Sequence, residues 1–194
     1  MPPEAVLSAR DLWKSFDGRE AILRGASLDV APGEAVLLQG PNGSGKTTLL
    51  SILGGLASPD RGSVLLRGRE ISRLKEGALA RVRLHELGFV FQTHNLIDDL
   101  TVEENVALPL RLARRPAEPR VREILEAFGL ARLALRRPRE ISVGESQRVA
   151  VARAHPSAPP DGNGPWRRTE AGSGASRGAC GARPRDPCTG TPSF

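Results

Sequence analysis

The residues most able to do chemistry in this chain lie in one short glycine-rich segment. In order, they are Gly40, Pro41, Asn42, Gly43, Ser44, Gly45, Lys46 and Thr47. This spacing fits the pattern G-x-x-x-x-G-K-[ST], whose backbone N–H groups surround the phosphates of a bound nucleotide. Gly43 and Gly45 stand where the backbone must approach the ligand closely or adopt a positive φ. Lys46 provides a mobile cation for the outer phosphates, and the Thr47 hydroxyl is placed to hold Mg²⁺.

The flanking residues decide between a phosphate site and the alternative, a glycine-rich turn with an incidental lysine. Before the segment, residues 35–39 are a short apolar run that predicts a buried strand. After it, residues 48–53 predict a helix, which Gly54 and Gly55 can end. A strand, a glycine-rich loop and a helix in this order favour the phosphate site.

Composition and charge narrow the function classes. The formal net charge is +6, and arginine supplies most of the cations, because lysine occurs only at Lys14, Lys46 and Lys75. The arginines are dispersed and not interleaved with aromatic residues, so we expect a solvated basic surface and no nucleic-acid partner. The sequence shows no signal peptide and no run long enough to span a bilayer, which predicts a cytoplasmic location. Cys180 and Cys188 fit no metal or redox spacing.

Two strands and one ambiguous aromatic residue are predicted before the glycine-rich segment. Residues 5–12 predict a strand that continues towards Phe16, and residues 21–30 predict a second strand after a turn. Phe16 is either a core aromatic or a ring that stacks on adenine, and its position alone does not separate the two.

A polar residue ends another predicted strand further along the chain. Residues 63–68 predict a strand, residues 74–86 a helix, and residues 87–91 a buried strand that ends at Gln92. A glutamine at a strand end near a nucleotide site can hold Mg²⁺ or orient water. The alternative is a loop glutamine that bonds to backbone.

The following residues predict helices with recognisable start signals. Thr101 and Glu104 have the spacing of a capping box, so a helix should begin there and continue through Leu112, with a kink at Pro109. Further helical pieces are predicted at residues 121–128, ending at Gly129, and at residues 130–137.

A second capping box is predicted at Ser142 and Glu145, before the helix-forming residues 149–154. With Gly144 beside it, this helix start predicts a second anion-binding end.

The glycine-rich loop, the strand ending at Gln92 and the segment ISVGESQR at residues 141–148 occur in a known order and spacing. Together they resemble the ATP-binding subunit of ABC transporters over residues 5–154. The stretch LGFVFQTHNLIDDLTVEENVALPL, residues 87–110, is most similar to the lipoprotein-releasing and macrolide-exporter branch. The resemblance implies an α/β P-loop NTPase fold, an ABC-type nucleotide-binding domain over residues 1–154. Its helical subdomain and signature region would occupy about residues 93–150, and the domain would be incomplete at the C-terminus.

The same resemblance implies roles for particular residues, with ATP and Mg²⁺ as cofactors. Catalytic roles fall to Lys46 and Gln92, and metal contacts to Thr47 and Gln92. The implied nucleotide-binding residues are Phe16, Gly40, Pro41, Asn42, Gly43, Ser44, Gly45, Lys46, Thr47, Thr48, Ser142, Gly144 and Glu145.

The resemblance also implies partners and a location. The signature residues Ser142 and Gly144 would close over ATP bound to a second copy, which predicts a homodimer of nucleotide-binding subunits. A membrane permease subunit would dock at residues 96–110 and hold the chain at the cytoplasmic face of the cell membrane. The expected function is to couple ATP binding and hydrolysis to export or lipoprotein release through that permease.

Two departures from the family pattern qualify this expectation. Val143 replaces the first of two glycines that usually follow the signature serine. Residues 155–194 contain no Leu, Ile, Val or Met, so we expect a disordered tail rather than the strands that carry the Walker B aspartate, the catalytic glutamate and the switch histidine. A shifted reading frame after Ala154 would explain the change. The alternatives are an ATP-binding chain deficient in hydrolysis and, with less support, an ABC-type DNA-associated ATPase.

Overall fold

A computed structural model describes residues 5–16 and 20–155 of the chain. The expectations for residues 156–194, including the disordered tail, lie outside the described residues. The strands are β1 (Leu7–Lys14), β2 (Leu23–Val30), β3 (Arg61–Leu66) and β4 (Arg69–Glu70). The α-helices are α1 (Lys46–Leu53), α2 (Glu76–Glu86), α3 (Val102–Leu112), α4 (Glu118–Ala127) and α5 (Val143–Ala154). Short 3₁₀ turns lie at Ala131–Leu133 and Pro138–Glu140.

The four strands form an antiparallel sheet in the order β2-β1-β3-β4. The alternation of β1 is interrupted by a bulge near Asp11, whose φ is 47°, so that Ala9 and Leu12 are both fully buried. These residues pack with Ile52 of α1 and Val82 of α2 in the first of two hydrophobic clusters. The predicted strands at residues 5–12, 21–30 and 63–68 are therefore confirmed with shifts of a few residues at their ends.

Two other predicted strands, at residues 35–39 and 87–91, are wrong. Both segments lie outside the sheet of the described residues, and their apolar side chains are partly open to solvent. Leu37 is 78% exposed and Val90 is 49% exposed. An apolar run becomes a strand only when another strand satisfies its N–H and C=O groups, and no described segment pairs with either run.

The second hydrophobic cluster is built by α3, α4 and α5. It includes Val106 of α3, Ile124 of α4 and Val149 of α5, and Leu130 after α4 completes it. The predicted helices that correspond to α3, α4 and α5 are confirmed, and α4 is followed by Gly129 with a φ of 66°. The piece predicted at residues 130–137 is reduced to the 3₁₀ turn Ala131–Leu133. Pro109 lies inside α3, and its predicted kink stays a prediction.

The capping box predicted at the start of α3 is confirmed. Thr101 Oγ1 accepts a hydrogen bond from the Glu104 N–H at 3.2 Å, and Glu104 Oε2 accepts one from the Thr101 N–H at 2.9 Å. The same pair lowers the pKa of Glu104, chiefly through the backbone hydrogen bond from Thr101.

A buried amide holds the turn before α3. Asn105 is fully buried, and its Nδ2 donates to the carbonyls of Ile97, Leu100 and Thr101 at 3.0, 3.2 and 3.0 Å. Its Oδ1 accepts from the Ile97 N–H at 2.9 Å. One side chain therefore satisfies the backbone of a whole turn, which fixes residues 97–101 against the helical cluster.

Contacts also join α5 to the segment around Gln92. The Arg153 guanidinium donates to the carbonyl oxygens of His94 and Asn95 at 2.8 and 2.6 Å. Both acceptor residues have left-handed backbones, with φ values of 60° and 46°.

Within residues 5–16 and 20–155, none of the helices is both long enough and apolar enough to cross a bilayer.

Candidate functional site

The glycine-rich loop leads directly into α1 and leaves its start open. The helix begins at Lys46, and Gly45 in the capping position offers no side-chain hydrogen bond to it. The first turn contains no acidic residue. The first N–H groups of a helix have no partner within the helix, and together with its dipole they attract an anion. Positive φ values of 82° at Gly43 and 88° at Gly45 bend the loop around this end.

The Lys46 side chain spans the loop. Its Nζ donates to the carbonyl oxygens of Gly40 and Pro41 at 2.8 and 2.7 Å, and lies 3.5 Å from Ser44 Oγ. The ammonium is thus held across the loop by neutral acceptors. A phosphate offers a stronger, charge-assisted acceptor, so the ammonium can exchange these carbonyls for a bound anion.

The start of β2 supports the loop from below. Gly45 is buried, and a Cβ added to it would lie 2.9 Å from Leu23 Cδ2 and 3.0 Å from Ile22 Cγ2. A larger residue would require these side chains to move and would crowd the Ile22 carbonyl, which lies 3.2 Å from that Cβ position. The remaining loop residues are exposed to solvent on the other side: Gly40, Pro41, Asn42, Gly43 and Ser44.

The residues implied as Mg²⁺ ligands present suitable oxygens. Thr47 lies in the first turn of α1 with an exposed side chain, and Thr48 follows it half-buried. Gln92 is exposed just beyond the extended residues 87–91. Within the described part of the chain, the side chains of Thr47 and Gln92 neither donate nor accept a hydrogen bond. A hydroxyl, an amide oxygen and phosphate oxygens are the donors that Mg²⁺ prefers, so the set fits that ion.

Phe16 is placed where its ring can meet a ligand. It is 45% exposed and belongs to neither hydrophobic cluster, which makes the core interpretation of this residue wrong. The Lys14 ammonium lies 5.5 Å from the centre of its ring, within the range of a cation–π contact.

The capping box predicted at Ser142 and Glu145 is confirmed, and the anion binding predicted for this helix start stays a prediction. Ser142 Oγ accepts from the Glu145 N–H at 3.3 Å, and Glu145 Oε2 accepts from the Ser142 N–H at 2.9 Å. These bonds, led by the backbone one, lower the pKa of Glu145. Val143 is 77% exposed, and a Cβ added at Gly144 would meet no atom within 4 Å. This surface is open and projects a β-branched side chain.

The structure brings the site residues together in two separate sets. The loop, Thr47 and Thr48 belong with α1 and the first hydrophobic cluster, whereas Ser142, Gly144 and Glu145 start α5 in the second. No hydrogen bond or ion pair among the described residues joins the two sets. The two predicted anion-binding ends are therefore separate, and each stays a prediction.

Three polar residues that hold turns and loops of the chain were not predicted from the sequence. Asp60 bonds to the end of β1, Asn105 holds the turn before α3, and Arg153 bonds to the loop after Gln92. Asp60 and Arg153 contact residues far away in the sequence, so no local signal marks them. The Asn105 bonds span four to eight residues, yet a helical asparagine gives no sign of being buried.

Comparison with known proteins decides the family. Residues 23–160 match the ABC transporter family. The chain belongs to the ABC transporter family. The segment of that match contains the loop, Gln92 and the start of α5, so the α/β P-loop fold and the expectation of an ABC transporter ATP-binding subunit are confirmed.

Curated relatives and a solved structure agree with this placement. The lipoprotein-releasing system ATP-binding protein LolD of Pseudomonas fluorescens is 47% identical over 160 residues, which cover 79% of this chain and 70% of the relative. LolD 2 of Caulobacter vibrioides is 48% identical over 157 residues, covering 78% of this chain and 69% of the relative. A dimeric ATP-binding cassette bound to ADP and Pi has a TM-score of 0.72 at 37% identity, and the match covers 79% of this chain and 71% of that one. The expected similarity to the lipoprotein-releasing branch is thereby confirmed.

Proposed function

We propose that this ABC transporter domain binds Mg²⁺ and ATP with the phosphates held in the loop of residues 40–47. The observation that carries the proposal is the start of α1, which no side chain caps, together with the Lys46 ammonium, which reaches across the loop to the carbonyls of Gly40 and Pro41. These groups supply the fixed dipoles and the mobile cation that a triphosphate requires.

The remaining ligand contacts follow from the side chains around the loop. Thr47 and Gln92 would hold Mg²⁺, which screens the charge of the outer phosphates when bound. Phe16 would stack on adenine through its exposed ring. With Lys46, these residues would orient the terminal phosphate and stabilise negative charge during hydrolysis.

Substitution of Lys46 by alanine tests the binding proposal. Because charge-assisted hydrogen bonds contribute roughly 1.5–3 kcal/mol each, we expect Lys46→Ala to weaken Mg²⁺-dependent ATP binding by about tenfold or more in calorimetry. Lys75→Ala is the matched control, since Lys75 is an exposed lysine at the start of α2. Equal ATP affinity in all three proteins would contradict the proposed site.

We propose further that two copies close head to tail over ATP, with Ser142 and Gly144 of one copy facing the loop of the other. The uncrowded start of α5 supports this arrangement, because a Cβ added at Gly144 would meet no atom within 4 Å, which leaves room for an approaching phosphate. A relative of similar fold is a dimer in its solved structure.

A second candidate function is ATP binding with slow or no turnover. The observation that favours it is Val143, whose exposed branched side chain lies where a phosphate would approach the backbone. We expect Val143→Gly to increase ATP-driven dimerisation in sedimentation velocity. Leu135→Gly, which also removes an exposed apolar side chain, should change nothing. Unchanged dimerisation in Val143→Gly would remove Val143 as the obstacle.

The partner and substrate class are proposed from the relatives' names. We propose that the chain works with a membrane permease that docks at residues 96–110, at the cytoplasmic face of the membrane, in lipoprotein release. Two observations support the permease proposal. The chain is similar in sequence to LolD proteins, and the Asn105 side chain holds a turn within residues 96–110. Co-purification with a co-expressed lipoprotein-releasing permease tests it, and failure to associate in the presence of ATP would count against it.

A further inference from the structure

Asp60 ties together the residues that immediately precede Phe16. Its Oδ1 accepts from Lys14 Nζ at 2.8 Å, and its Oδ2 accepts from the Ser15 N–H at 2.7 Å and from Ser15 Oγ at 3.0 Å. The Asp60 N–H in turn donates to the Trp13 carbonyl at 2.9 Å. One residue therefore bonds to three consecutive residues at the end of β1.

The charge of this carboxylate is retained at neutral pH. The hydrogen bond from Lys14 is the largest cause that lowers the pKa of Asp60 to about 2, and the bonds from Ser15 add to it. The Lys14 side chain is only 17% exposed, so the ion pair is sheltered on the lysine side. Its ammonium meets the Asp60 carboxylate and the face of the Phe16 ring at once.

The same segment lies close to the phosphate loop through Ile22, the residue before β2. The Lys14 carbonyl accepts from the Ile22 N–H at 2.7 Å. The Ile22 carbonyl lies 3.2 Å from the position of a Cβ on Gly45. The residue that pairs with Lys14 therefore lies beside the loop that would hold the phosphates.

We propose that Asp60 is a positioning residue for the base of the nucleotide, because it fixes the end of β1 and thereby the Phe16 ring relative to the phosphate loop. The proposal rests on the proposed function, in that it needs ATP bound at residues 40–47. Asp60 itself would not touch the ligand, so its effect should appear only in the part of the affinity that the base contributes.

The test compares ATP with inorganic tripolyphosphate, which has the phosphates but no base. We expect Asp60→Ala to weaken ATP binding by roughly three- to tenfold, the range for partial loss of one aromatic contact, and to leave tripolyphosphate binding unchanged. Asp29→Ala is the matched control. In the same sheet, Asp29 Oδ1 accepts from Ser8 Oγ at 2.6 Å and pairs with the Arg10 guanidinium at 2.7 Å.

Two further variants keep the test decisive. Asp60→Asn replaces the alanine variant if that variant folds poorly. It retains an oxygen for the Ser15 N–H but loses the charge that holds Lys14, so we expect a loss of ATP affinity smaller than that expected for Asp60→Ala. In a Phe16→Ala background, Asp60→Ala should have no further effect on ATP affinity, since the ring through which it acts is gone. An equal loss for ATP and tripolyphosphate, or an undiminished effect in the Phe16→Ala background, would overturn the proposal.

Hydrogen exchange of the Ser15 amide separates this proposal from the proposed function. Without any nucleotide, Asp60→Ala should speed exchange of that amide, and Asp29→Ala should not. If the wild-type chain binds ATP but Asp60→Ala binds it equally well, only the positioning role is refuted. If the wild-type chain binds neither ATP nor tripolyphosphate, the proposed function fails first and the positioning role falls with it.

Discussion

The buried amide of Asn105 offers a sharp test of what holds the helical part of the chain together. Asn105→Asp changes the shape of the side chain very little but replaces the Nδ2 donor by an oxygen. The bond from the Ile97 N–H can survive, because one carboxyl oxygen takes the place of Oδ1. The bonds to the carbonyls of Ile97, Leu100 and Thr101 are lost.

The size of the effect follows from which groups keep a partner. The Ile97 carbonyl also accepts from the Leu100 N–H, and the Thr101 carbonyl from the Asn105 N–H, whereas the Leu100 carbonyl has no second donor among the described residues. One unsatisfied carbonyl costs about 1–3 kcal/mol. A carboxylate buried against three carbonyl oxygens adds to this, so we expect a total loss of about 3–5 kcal/mol at neutral pH, the range for a broken buried network.

Thermal and denaturant unfolding at two pH values measure the effect. A loss near 3 kcal/mol lowers the melting temperature of a chain this long by roughly 6–12 °C. Burial raises the pKa of the introduced carboxyl in the folded state, so the folded state binds the proton more tightly. The loss of stability should therefore be smaller at about pH 5 than at about pH 8. Asn95→Asp is the control, because Asn95 is exposed and its side-chain oxygen only accepts a hydrogen bond from Thr93 Oγ1, which a carboxylate can also do. A change below about 1 kcal/mol in Asn105→Asp would refute this account of the turn.

Three further perturbations have definite expected outcomes. Gly45→Ala should destabilise the chain by roughly 2 kcal/mol in denaturant unfolding, since a left-handed alanine costs about 1–2 kcal/mol and its methyl group meets Leu23; wild-type stability would contradict the loop geometry. Leu37 is an exposed apolar residue on an unpaired extended segment, so we expect the isolated chain to aggregate through it. Leu37→Lys should therefore reduce aggregation, measured by light scattering, and unchanged scattering would exclude this segment as the cause of aggregation. The stabilising contribution of the Asp60 carboxylate should be complete above its unfolded pKa of 3.8 and lost as the pH falls through about 2. The stability difference between wild type and Asp60→Asn, followed by circular dichroism, should therefore shrink on acidification, and a difference that grew would reverse the sign of this linkage.

The parts of the structure that are specified locally could be predicted from the sequence. The phosphate loop needs glycine at particular positions, and Gly43 and Gly45 indeed have positive φ values. Both capping boxes are formed by residues three apart, so Thr101 and Ser142 could be placed before the helices were known.

The parts that depend on distant partners could not be predicted. Residues 35–39 and 87–91 have the composition of buried strands, but strand formation requires a neighbour that the run itself does not specify. The ion pair between Lys14 and Asp60 joins residues 46 positions apart, so neither residue could be assigned a role in holding Phe16. The exposure of Phe16, which decides between a core and a ligand-facing ring, also depends on how the residues around the end of β1 pack.

Hydrogen exchange of the backbone amides at residues 43–48, with and without Mg²⁺ and ATP, tests the central claim most directly. If the phosphates bind to the loop and the open start of α1, exchange of these amides should slow on addition of ATP in the wild-type chain. The same amides should remain fast in Lys46→Ala, and the amides of α2 should be unaffected in both proteins. ATP binding that leaves residues 43–48 unprotected, or that protects a different segment, would contradict the account.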